Sequence, residues 1–276
     1  MNRTKIEWVK NPDGNQGYTW NPITGCLNHI NGMCKGGNFP CYAYRLANGR
    51  LRSKYLVNRN IAIPNGVKME IMRGHGGELV PYQDPFYPRW WPDRLEQVNG
   101  QKPKGVFVCD MSDLFGIGIP ERWTKCVLSY MKSNPHHRFY LLTKQPQNLH
   151  KFSPFPDNCW VGVTATNNNY YAEAVNALWE IEAKIKFISF EPLLGLAKPT
   201  PLILSKLNAG INWLIIGAQT KPYKPPRIEW VKEIVEAADR AGIPVFLKDN
   251  LSSAIPFSQE YSHFYRYCSL LVGKEG

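Results

Sequence analysis

Short apolar runs that end in polar residues recur about every 25 to 30 positions through the later part of this chain. They are GVFVC then DMSD, RFYLL then TKQ, CWVGV then TATN, KIKFIS then FEP, NWLIIG then AQT, and IPVFL then KDN. Apolar runs without polar alternation are what a sheet buried on both faces produces. Between them lie amphipathic segments: ERWTKCVLSYMKS, YYAEAVNALWEIEA and RIEWVKEIVEAADRAG. In the last, Ile228, Val231, Ile234, Val235 and Ala238 share one helical face, and Gly242 supplies a stop signal. Repetition of strand, helix, strand implies parallel β/α units. A further strand-like run from Tyr18 to Ile23 brings the count to seven. The expected fold class is therefore α/β, a full or partial (β/α) TIM-type barrel. At 276 residues the chain suits one such domain, 1–276. The stretch 57–98, with several prolines and the pair Trp90 and Trp91, fits no β/α unit. It reads as an irregular insertion with room for a hairpin.

In a β/α barrel the polar residues after each strand gather at one open face, where active sites sit. That rule brings together Asp110, Ser112, Asp113, Thr143, Lys144, Thr164, Thr166, Asn167, Glu191, Gln219, Lys248 and Asp249. Polar residues also end strands simply because loops meet water. Asp113 has a turn-capping role open to it. Glu191, set between Phe190 and Pro192, needs a partner to stay charged after a buried strand, and Lys144 or Lys248 can supply it.

The same face receives the loop after the first strand, and that loop holds Cys26, Cys34 and Cys41 in GCLNHINGMCKGGNFPCYAYRLA. Three thiolates on one strand-to-helix junction point to a metal centre. With His29 they could close a tetrahedral Cys3His zinc knot. Cysteine runs of this kind also hold iron–sulfur clusters, and disulfides or unligated thiols are the third reading. The insertion KGGNFP is rich in Gly and Pro, and glycine tolerates the backbone angles of a loop wrapped round a metal.

The remaining cysteines, Cys109, Cys126, Cys159 and Cys268, make an odd total of seven and no secreted disulfide framework. Cys109 and Cys159 fall in apolar runs, where a small buried hydrophobe is the expected role. No apolar run approaches the roughly 18 residues of a membrane span, and the opening MNRTKIEWVK lacks the core of a signal peptide. A cytoplasmic protein with no membrane partner is expected.

Charge bears on the partner. The formal net charge is +11, and residues 1–60 hold nine Lys and Arg against two acids. Arg45, Arg50, Arg52, Lys54 and Arg59 follow Cys41 without an acid between them. Such a surface attracts phosphates and suits a nucleic-acid or nucleotide substrate. Tyr42, Tyr44, Tyr55, Trp90 and Trp91 offer stacking platforms for unpaired bases. Cationic helices also lie solvated on ordinary proteins, and aromatics more often pack than stack. There is no zinc finger, RNP motif or phosphate loop. His75, His136 and His137 sit in no serine-triad or HExxH context.

Several segments resemble one family: WNPITGC at 20–26, CYAYRLA at 41–47, VFVCDMSDLFG at 106–116, FYLLTKQP at 139–146, WVGVTATN at 160–167, FISFEPLLG at 187–195 and WLIIGAQT at 213–220. Together they are similar to the phage Gp37/Gp68 family, a radical-SAM-like group common in phages and mobile elements. The resemblance spans about residues 6 to 250. It implies a 4Fe–4S cluster on Cys26, Cys34 and Cys41 with one open iron, binding of S-adenosylmethionine there, and its reductive cleavage to a radical that attacks the substrate. Asp110 or Ser112 would then hold the amino group of S-adenosylmethionine. Thr164 and Glu191 join them as cofactor-binding residues, and Glu191, Asp110 and Lys144 are the catalytic candidates. An external one-electron reductant such as flavodoxin is implied, and a neighbouring-gene partner protein is a further expectation. Seven residues separate Cys26 from Cys34 and six separate Cys34 from Cys41, wider than the family's usual gaps.

The rival reading is a basic nucleic-acid-binding barrel with a structural zinc or cluster and no S-adenosylmethionine chemistry.

Overall fold

All seven apolar runs are strands, and they lie in one sheet in the order in which the chain makes them. The computed structural model describes residues 1–63, 80–100, 102–204 and 209–251. The main sheet contains β1 (Asn2–Arg3), β2 (Tyr18–Trp20), β3 (Gly105–Val108), β4 (Arg138–Thr143), β5 (Cys159–Thr164), β6 (Ile185–Phe190), β7 (Trp213–Ile216) and β8 (Val245–Leu247). Only β1 runs antiparallel, against β2. Every later neighbouring pair is parallel. Among the described residues no pairing joins β8 back to β1 or β2, so the sheet is open.

The first strand is shorter than the sequence suggests. Pro22 has no N–H to offer the ladder. The chain leaves the sheet after Trp20, and Ile23–Thr24 pairs instead with Arg89–Trp90.

Side chains alternate between two apolar environments, which explains why the strands show no polar periodicity. One set, including Val106, Phe139, Leu141, Val161, Ile188, Leu214 and Ile216, packs under helices in the main core. Those helices are α3 (Glu121–Lys132), α4 (Asn168–Trp179) and α5 (Ile228–Ala241), preceded in the chain by α1 (Tyr42–Asn48) and α2 (Arg52–Val57). Helix α4 starts on Asn167, whose side chain accepts from the Asn169 and Tyr170 amides. Helix α5 stops where expected, at Gly242 with φ +67°.

The other set is aromatic. Phe107, Tyr140, Trp160, Phe187 and Trp213 enclose Trp8 and Val9. The Trp8 ring lies 5.2 Å from Phe107, 5.7 Å from Tyr140, 6.0 Å from Phe187 and 5.9 Å from Trp213, centroid to centroid. On a flat sheet, strands four places apart such as β3 and β7 would stand roughly 19 Å from each other. One indole touches both, so the sheet is strongly curved around it. Gly162 makes room on this inner face, since a Cβ there would stand 2.3 Å from the Phe187 ring.

Of the irregular stretch 57–98, residues 64–79, which include His75, lie outside the described residues, as does Cys268. The described parts hold a short helix Val80–Gln83, the strand Arg89–Trp90 and a 3-10 turn Pro92–Val98. Buried Arg89 ties them together by donating to the Pro81, Tyr82 and Asp84 carbonyls. Among the described residues, no helix is long and apolar enough to cross a membrane.

Candidate functional site

The cysteine loop is built from tight turns that only particular residues allow. Gly25, at φ +85°, follows Thr24 and lies so close to the Phe86 and Tyr87 carbonyls that a Cβ would stand 2.4 Å from the Tyr87 oxygen. Next comes a small antiparallel sheet of His29–Ile30, Met33–Cys34 and Phe39–Pro40. Its first hairpin turns on Asn31 and Gly32, both at positive φ, the pair that a two-residue hairpin favours. The KGGNFP segment folds over the ends of β4 and β5. Gly36 abuts the Lys144 side chain, Gly37 abuts Thr166, and the Tyr170 hydroxyl donates to the Lys35 carbonyl. Cys41 then caps α1.

This loop brings all three cysteines to one cavity of about 520 Å³ at the carboxyl ends of the parallel strands. Asp110, Ser112, Asp113, Lys144, Glu191, Gln219 and Lys248 line the same cavity, and Trp8, Phe107 and Leu142 form its floor. Ligands of open parallel sheets bind at this edge. A larger hollow of about 860 Å³ opens at the opposite strand ends, around Lys132, His136, Arg138 and Trp160. Arg138 there is committed to the Trp160 face and the Tyr140 hydroxyl.

The sulfur atoms are partly prepared for ligation. The Asn28 amide donates to Cys26 Sγ at 3.3 Å and the Tyr44 amide to Cys41 Sγ at 3.5 Å. Burial pushes the Cys26 thiol up to about 12, with the Asp113 carboxylate adding to the effect. Burial also raises the Cys34 thiol, against the opposing pull of Lys144. Without a metal these two thiols stay protonated at neutral pH, and a bound cation would deprotonate them. Among the described residues, no three His, Cys, Asp or Glu side chains stand close enough to hold an ion as they are. The donor set itself fits a soft metal or cluster: three thiols on one cavity, two of them already receiving backbone N–H bonds. His29 does not line the cavity. Its ring packs on Tyr44 and Phe86, and its Nδ1 accepts from the Gly32 amide.

The polar residues divide by role. Asp113 is structural: its carboxylate accepts from the Phe115 amide, the Thr143 hydroxyl and the Lys144 amide. Glu191 pairs with Lys248, their side chains 25% and 11% exposed, and not with Lys144. Lys144 instead leans toward the Phe39 ring. Ser112 donates to the Gly25 carbonyl, fastening the cysteine loop to β3. Asp110 is half-buried and accepts from Asn21 Nδ2; desolvation of its carboxylate raises its pKa. Thr164 is buried outside the cavity lining, and among the described residues neither its hydroxyl nor that of Ser189, its neighbour in register on β6, has a partner.

Sequence reasoning missed Asn21 and did not foresee where Cys109 and Tyr42 stand in the site. Asn21 braces the segment after β3, donating to Asp110 and accepting from the Met111 amide. Cys109, expected as an ordinary buried hydrophobe, is buried but stands at φ +60° and borders the cavity; such strain in a non-glycine residue clusters at functional sites. Tyr42 crosses the mouth with its hydroxyl donating to the Asp110 carbonyl.

The chain belongs to the family described as a protein of unknown function (DUF5131), whose model matches residues 3–253. No curated protein and no solved structure matches it significantly.

Proposed function

We propose that this chain is a radical-SAM-like iron–sulfur enzyme of the phage Gp37/Gp68 kind, with Cys26, Cys34 and Cys41 as ligands of a 4Fe–4S cluster. One observation carries the reading: three thiols, the half-buried Asp110 carboxyl and a Glu–Lys pair line a single cavity at the carboxyl edge of a parallel sheet. The strand order and the curvature around Trp8 support reading the sheet as a partial barrel. When bound, such a cluster would supply one electron and an open iron for S-adenosylmethionine, given an external one-electron reductant.

The chain's own part is binding and orientation. Asp110, half-buried and braced by Asn21, lines the cavity where an ammonium group would be neutralised. Glu191 and Lys248 present opposite charges side by side, suited to the zwitterionic end of an amino acid. The aromatic floor of Trp8 and Phe107 closes the cavity below and keeps water from the reacting end.

The test is anaerobic purification with iron, sulfide and zinc analysis and a visible spectrum, for wild type and Cys34→Ala. About four irons per chain, a broad absorption lost in the variant, and a spectral change on adding S-adenosylmethionine are expected. One zinc and no colour would overturn the reading.

A further inference from the structure

Of the aromatics that the sequence offers as stacking platforms, four are already occupied. Tyr44 packs on His29 and Phe86, Tyr55 on Trp91, Trp90 on Trp123, and Trp91 lies under Arg94. Tyr42 is different: it is 47% exposed, yet its hydroxyl end is buried and anchored on the Asp110 carbonyl. An aromatic ring held by its far end with a face open to the cavity mouth is a rigid stacking surface.

Arg45 stands one helical turn after Tyr42, on the same side of α1, and also borders the cavity. Arg50 lies in the turn between α1 and α2, and Arg52 and Lys54 stand on α2, all three exposed. None of these four cations has a carboxylate partner among the described residues. Exposed, unpaired cations on the two helices that carry a partly exposed aromatic ring suit the backbone and one base of an unpaired strand.

We propose that α1 and α2 bind a single-stranded nucleic acid, its phosphates on Arg45, Arg50, Arg52 and Lys54 and one base stacked on Tyr42 at the cavity mouth. The proposal rests on the preceding reading for what happens to that base, and not for the binding itself. A duplex keeps its bases in the stack, where neither Tyr42 nor a recessed cavity reaches them. A lipid surface is disfavoured because Val57 is the only exposed aliphatic side chain of the two helices. An acidic peptide offers charge but nothing planar for Tyr42.

The experiment is fluorescence anisotropy with a labelled mixed-sequence single strand, as DNA and as RNA, over a range of salt concentrations. Its competitors are the blunt duplex, polyglutamate and vesicles of phosphatidylserine with phosphatidylcholine. The single strand should bind best. Replacing the four cations by Ser should weaken it by about tenfold or more and flatten the log K against log salt slope by about 3. Tyr42→Leu should weaken it by about tenfold with an unchanged salt slope, while Tyr42→Phe, which keeps the ring, should retain most of the affinity. Equal binding of duplex, polyglutamate or vesicles, or a four-cation variant that binds like wild type, would overturn the proposal. Cys34→Ala runs alongside. Loss of iron with strand binding retained leaves the surface standing by itself. Protein that never carries iron yet binds the strand removes only the cluster reading. Iron and a spectral response without strand binding removes only the surface.

Discussion

The two ends of the curved sheet's interior are built from opposite materials. Below, Trp8, Phe107, Tyr140, Trp160, Phe187 and Trp213 fill the space with aromatic rings, many meeting edge to face. Above, at the strand ends, sit thiols, the half-buried Asp110 carboxyl, a Glu–Lys pair and a loop with four residues at positive φ from Gly25 to Gly37. The same strands supply both layers, a few residues apart. The lower layer follows the rules that make cores stable: large apolar area and favourable ring geometry. The upper layer breaks them, with charge in a poor solvent and strained backbone. Stability and chemistry are thus separated along the strand axis, so a change at one end should register differently from a change at the other.

The largest effect is expected from the lower layer. Trp213 is buried and meets Trp8, Tyr140, Trp160, Phe187 and Phe246. Trp213→Ala should cost about 3–5 kcal/mol, read as a lower denaturant midpoint at unchanged slope. A loss below about 1 kcal/mol would mean that the rings do not carry the fold and the contrast is false. In the upper layer, Lys248→Met strands the Glu191 carboxylate, still a quarter exposed. The loss should be smaller, about 1–2 kcal/mol, because solvent softens it. Adding Glu191→Gln to that variant should recover most of the loss in a double-mutant cycle. If the double variant is as unstable as the sum of the two, the pair is not a coupled unit.

How far the sequence could reveal this contrast depended on which signal each layer left. Strands were legible because each apolar run ends in polar residues, and α5 because of its spacing and Gly242. The inner layer was hidden. With both faces of the sheet buried, Phe139 and Tyr140 look equivalent in sequence, and only the structure assigns one to the helices and the other to Trp8. Trp8 itself precedes every β/α unit and carries no periodic signal. In the upper layer the cysteines announced themselves, and Asp110, Ser112, Lys144 and Glu191 line the cavity as the strand-end rule suggested. The same rule could not choose Lys248 over Lys144 as the Glu191 partner, nor find Asn21 or the Tyr42 bond to Asp110, because contacts between residues 57 to 89 positions apart leave no local pattern.

The smallest effect tests whether the upper layer gives up stability for its chemistry. Burial raises the Asp110 pKa above the ordinary carboxylate value of 3.8, despite the Asn21 bond that pulls it down. Between that value and the raised one, the folded protein binds more protons than the unfolded chain, so stability falls as pH rises through this window. The contribution is fully present below 3.8 and is lost as pH rises through the raised value. Asp110→Asn keeps an acceptor for Asn21 and removes the charge. Metal-free Asp110→Asn protein should therefore melt higher than wild type at pH 7, and the advantage should shrink as pH is lowered toward 4 and wild type becomes protonated too. The same gain at both pH values would trace it to packing and not to charge. No gain at pH 7 would mean that the mouth carries its carboxylate without cost, and that the two layers differ in chemistry but not in the stability they surrender.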